Sequence, residues 1–183
     1  MSTKCIIAIN NRESVKAIYC HWDGYPKWTG RILNENYTDT DKINRLIELG
    51  DIDFLGKSIE CNPITKVFGP DWEAHDNAKY KDAIDTLNTH KRGLGTKIDR
   101  IFQEELGHAE KYTLAYKRDY KLKKHEYHEF KSVDELLNTA DDFTFGAEFI
   151  YIFEKGKWNV YNVFENKQDT LEKVLTEESK KTK

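Results

Sequence analysis

The chain has 183 residues, which is the size of one ordinary domain. Hydrophobic residues make up 38% and aromatics 13%, enough for a core, while 29 Lys and Arg against 32 Asp and Glu give a net charge of −3, which argues against a whole-protein electrostatic grip on nucleic acid. No run approaches the roughly 20 apolar residues of a membrane helix, the apolar N-terminal run is too short for a signal peptide, and the cysteines lack C-x-x-C spacing, so a membrane protein and a secreted disulfide knot are excluded and a cytoplasmic protein is expected.

The segments Lys4–Asn10 and Val15–Trp22 are rich in β-branched and aromatic residues and are separated by a polar stretch, which predicts a β-hairpin. Asp23-Gly-Tyr-Pro26 then turns the chain. A short helix is predicted from Thr29 with Ile32, Leu33 and Tyr37, and a second from Asp41 to Leu49, capped by Thr38 or Thr40, with Ile43, Leu46 and Ile47 at i, i+3, i+4. Gly50 suits the left-handed residue that closes a helix, and Asp51–Gly56 reads as a compact turn inserting Phe54 and Leu55. Residues 57–110 read as a mainly helical insert: a loop over Ile59–Trp72, then helices over Asp76–Leu87 and from Thr96 to Leu106. Tyr112–Tyr116 has strand composition, and Ser132-Val-Asp-Glu135 resembles a capping box opening a helix through Leu137. The clearest hairpin pairs Ala147–Phe153 with Trp158–Phe164 across residues 154–157. A helix is predicted from Asp169, packing Leu171, Val174 and Leu175, with residues 177–183 a disordered tail. The expected architecture is a single α+β domain over residues 1–176: two antiparallel hairpins forming one sheet, with helices packed on one face.

Four clusters carry polar chemistry. Ile18–Pro26 sets Cys20, His21, Trp22 and Asp23 side by side; adjacent residues on a strand face opposite ways, so Cys20 and His21 do not pair as nucleophile and base. This stretch reads as a folding unit, with Cys20 in the core and Trp22 covering it, so that truncating the indole would cost about 3 to 5 kcal/mol. His125 and His128, three apart on a segment without helical pattern, read as solvated side chains, and Arg92–Lys97 as helix punctuation. Residues 111–124 interleave six cations with tyrosines, and there Tyr112, Tyr116, Arg118 and Tyr120 are the candidate partner-binding residues, because Tyr and Arg dominate binding hot spots. Trp22 and Tyr25 join them as candidates for contact with a small ligand or nucleotide. No catalytic residue, metal or cofactor is assigned.

Beyond these patterns, Ile18-Tyr-Cys-His-Trp-Asp-Gly-Tyr-Pro26, Gly30, Leu33 to Tyr37, and Leu49-Gly-Asp51 through Leu55 resemble the N-terminal unit of small accessory proteins encoded by tailed bacteriophages and prophages. A fainter likeness continues in Tyr116–Asp119 and in the hairpin Ala147–Val160. The resemblance implies a host-takeover or anti-defence factor of the host cytoplasm that binds and inhibits a bacterial protein, components of anti-phage defence being among the candidates. Two other classes stand beside it: a protein that sequesters a small ligand or nucleotide, and a hydrolase using Cys20, His21 or Asp23.

Overall fold

The computed structural model describes residues 3–61, 111–144 and 146–181. The expected insert helices and the Arg92–Lys97 segment lie outside the described residues. The described chain forms an eight-stranded mixed sheet with helices on both faces.

The N-terminal hairpin is as expected: β1 (Cys5–Asn10) pairs antiparallel with β2 (Val15–Cys20), Cys5 opposite Cys20 and Asn10 opposite Val15. A single π-helical turn, Pro26–Gly30, leads into α1 (Arg31–Asn36), and α2 follows at Thr40–Glu48. The cap of α2 is Asp39 rather than a threonine, its carboxylate accepting the Lys42 N–H at 2.9 Å. Asp51–Gly56 is not only a turn, for it contains β3 (Ile52–Phe54), laid parallel to the end of β2. β4 (Leu114–Ala115) pairs with β3, and β5 (His128–Phe130) pairs with the start of β2, so β3 and β5 share one edge of β2 end to end. α3 (Val133–Thr144) outruns its expected end; Ser132 Oγ accepts the Glu135 N–H, and the Glu135 carboxylate turns back to the Lys131 N–H. β6 (Phe149–Glu154) and β7 (Lys157–Asn162) form the late hairpin, and the third strand, β8 (Lys167–Thr170), makes it a meander. α4 (Leu171–Lys181) stays helical past Thr176, where a tail was expected to begin, with Glu178 3.8 Å from the Lys27 ammonium.

Two features of the expected architecture are corrected. The two hairpins do share one sheet, but the sheet is larger than the two of them and mixed, for β1 and β6 run parallel, Ile6 beside Ile150 and Ala8 beside Ile152. Helices are also not confined to one face. The reason lies in the composition of the two central strands, whose apolar runs Cys5–Ile9 and Ile150–Phe153 do not alternate with polar residues and so need cover on both sides. One face places Cys5, Ile7, Ile18, Tyr151 and Trp158 against α1, α2 and α4. The other places Ile6, Ala8, Val15, Ala17, Ile150 and Ile152 against Leu136 of α3, with Val133 and Leu137 beside it.

Buried aromatics tie the first unit to the late strands through their polar tips. Tyr37, closing α1, donates its hydroxyl to the Gly56 carbonyl at 2.7 Å, and its own carbonyl accepts the Trp158 indole N–H at 2.7 Å. Tyr151 Oη donates to the Gly24 carbonyl at 2.8 Å. Each ring therefore buries its apolar body without orphaning its polar atom.

Candidate functional site

At the end of β2 the chain continues to pair with β3: the His21 N–H donates to the Ile52 carbonyl (3.2 Å) and the Trp22 N–H to the Asp53 carbonyl (2.9 Å). Strand alternation sends Ile52 into the core and turns Asp51 and Asp53 together to the opposite face, where Tyr19 also lies. The segment 116–125 folds over this face and is held there by the two carboxylates. Asp53 Oδ1 accepts the Tyr116 hydroxyl at 2.8 Å, and Oδ2 accepts the Tyr120 hydroxyl at 2.9 Å. Asp51 Oδ1 accepts the Tyr19 backbone N–H at 2.9 Å, and Oδ2 sits 3.1 Å from Nδ1 of His125. Aromatic contacts close the cluster, with Tyr116 against both Tyr120 and His125 and His21 bridging Tyr19 and Trp22.

The electrostatics keep these protons in place. Burial, then the hydrogen bond to the Asp53 carboxylate, pushes the Tyr116 phenol well above its ordinary range, and burial, followed by the nearby Cys20, raises Tyr19 to about 12. Both phenols remain protonated at neutral pH. All four oxygens of Asp51 and Asp53 accept or face a donor, so the carboxylates anchor the segment. The nearby thiols are equally settled: Cys20 is fully buried and donates to the Trp22 carbonyl (3.4 Å), and burial, followed by the neighbouring Cys20, pushes Cys5 well above the usual thiol value. Among the described residues no group of His, Cys, Asp and Glu is arranged to hold a metal ion.

The six candidate binding residues fall into four places. Trp22, Tyr116 and Tyr120 come together at the cluster. Tyr112 lies further along, its backbone bridging Ser58 and its ring under the Lys111 ammonium (5.0 Å to the centroid). Tyr25 is elsewhere, at the mouth of a cleft between the π-helical turn, β8 and α4. Arg118 faces inward: Nε donates to Asp119 Oδ1 (2.8 Å), Nη2 to Asp119 Oδ2 (2.7 Å) and to the Thr113 carbonyl (2.6 Å), and Nη1 to the Ile59 carbonyl. Trp22 does not cover Cys20 as expected, because the Trp22 N–H to Asp53 bond carries the chain past the core; its side chain is 46% exposed. Leu122, 45% exposed, stands on the same folded-over segment, whose backbone N–H bonds the Tyr116 carbonyl.

Sequence reasoning missed Asp51, Asp53, Tyr19 and His125. Their signal is the Asp-Ile-Asp alternation, which is the period of a strand but only three residues long. Comparison of the chain with protein-family models, with curated proteins and with solved structures finds no match.

Proposed function

We propose that this chain is a phage accessory protein that binds and inhibits a bacterial host protein through the aromatic surface at the ends of β2 and β3. The observation that carries the reading is the exposed Trp22 held by a rigid frame: its backbone is bonded to β3, and its ring rests against His21 at 5.0 Å between centroids. Large, stiff, amphipathic rings with little conformational freedom left to lose are the side chains around which binding hot spots form. Trp22 is such a ring, and Asp53, whose carbonyl accepts the Trp22 N–H, also holds the Tyr116 and Tyr120 hydroxyls and so keeps the folded-over segment from shifting. The phage origin and the host target follow from the motif resemblance at Ile18–Pro26, the segment that supplies Trp22.

A hydrolytic role finds less support, since Asp51 and Asp53 already hold donors and the Cys5 and Cys20 thiols are fully buried. No helix among the described residues is long and apolar enough to cross a membrane. The test is affinity capture from a bacterial lysate with the wild type and with Trp22→Ala. A host protein retained by the wild type and lost by a variant of unchanged melting temperature is the expected result. Equal capture by both would place the binding surface elsewhere.

A further inference from the structure

A second feature lies away from the aromatic surface and does not depend on it. Between the sheet edge and α4 is a cleft of about 390 Å³, a volume in the range of small-molecule sites. Its apolar wall is made by Tyr25, Phe149, Val160 and Val174, which come from the π-helical turn, β6, β7 and α4. β7 and β8 both contribute alternate residues here, Val160 and Asn162 from one and Lys167 and Asp169 from the other, so the cleft follows the period of the strands at the open edge of the sheet.

The charges around this wall are unequal. Glu165, Asp169, Glu177 and Glu178 line the cleft against two ammonium groups, Lys27 and Lys167. Lys27 stands 3.8 Å from Glu178, and Lys173, on the outer side, is 2.5 Å from Asp169. Even with Lys173 counted, one carboxylate is in excess. Two aromatic rings and an excess of carboxylate around one apolar recess suit an occupant with a positive charge and an apolar body, because the ring faces and the carboxylates both attract a cation while the valines cover the body. A phosphate-bearing ligand would meet the same carboxylates as repulsion.

We propose that this cleft is a binding site for a small organic amine, a protonated ammonium group attached to an aromatic or aliphatic body. The ammonium lies toward Glu165 and Glu177, which are exposed at the rim, and the body lies against Tyr25 and Phe149.

The test is calorimetric titration of the full-length protein with tryptamine, with indole-3-propionate, which carries the same ring on a carboxylate, and with ATP. Tryptamine is expected to bind saturably at one site and the other two at least about tenfold more weakly, the direction the excess charge sets. Glu165→Gln with Glu177→Gln should weaken tryptamine about tenfold at unchanged melting temperature, Tyr25→Ala should weaken it as well, and Trp22→Ala should leave it unaltered. No saturable tryptamine binding, equal or tighter binding of the anions, or insensitivity to the carboxylate pair would each overturn the assignment. Loss of tryptamine binding in Trp22→Ala would do so too, by placing the amine on the other surface.

Discussion

Arg118 shows how a residue chosen from composition changes meaning in three dimensions. A cation among tyrosines looks like a contact for an acidic partner, yet its guanidinium joins the Asp119 carboxylate to the carbonyls of Thr113 and Ile59. The Asp119 side chain is 1% exposed, so removing the arginine would leave a buried carboxylate without its charge partner. Arg118→Ala is therefore expected to destabilise the fold by about 3 kcal/mol, read as a lower urea midpoint, with any loss of partner binding following the loss of structure. An unchanged midpoint with weakened binding would return Arg118 to the contact surface. The same pair sets a pH dependence. Burial opposes ionisation of Asp119, but hydrogen bonds from Arg118, the Ala115 N–H and Cys61 outweigh it and hold the carboxyl below its ordinary value. A carboxyl depressed in the folded state contributes stability that is complete above the unfolded value of about 4 and is lost as pH falls through the folded one. Denaturant melts at a series of acidic pH values should show this loss in the wild type; Asp119→Asn should be less stable at neutral pH and lose less over the acidic window. Equal slopes in the two proteins would assign the acid sensitivity to other groups.

At the scale of elements, the segment that carries the aromatic surface depends on two glycines it crosses. Gly50, at φ +74°, closes α2 as its position in the sequence suggests, but a Cβ there would also lie 2.0 Å from the His125 carbonyl oxygen. At Gly56 a Cβ would meet the Tyr112 carbonyl carbon at 2.2 Å. The obstacle in both cases is backbone, which has no rotamer by which to move aside. Gly56→Ala should therefore lift residues 111–113 from the chain at Gly56–Ser58 and cost about 3 kcal/mol, measured by thermal melts, and should weaken partner capture in parallel. Capture unaffected despite that destabilisation would mean that the surface does not rely on this seating. The long elements were legible because each repeats its pattern over several turns or strand residues: the two hairpins, α2 with its apolar triplet, the start of α3. β3, β4 and β5 were not, since strands of two or three residues are specified by the neighbours they pair with, and Asp51 and Asp53 could be seen as a site only once Tyr116, Tyr120 and His125 had been folded onto them. Trp22, Tyr116 and Tyr120 were visible as aromatic residues; that they meet in one place was not.

For the whole molecule, the sheet's arrangement was partly written in its central strands. The unbroken apolar runs of β1 and β6 mark them as interior strands needing cover on both faces, whereas the turn signals beside them mark only which strand follows which. The parallel register between them has a consequence for how the protein is made. β1 leaves the ribosome first, and its second edge is completed by Phe149–Phe153, more than a hundred residues later. At ordinary elongation rates the nascent hairpin waits on the order of ten seconds with an apolar strand edge open. That interval favours association with a chaperone, or with the hairpin of another nascent chain on the same message, before the correct strand arrives. Yield in the cell would thus depend on the speed of synthesis of residues 11–148, whatever the final stability of the folded domain.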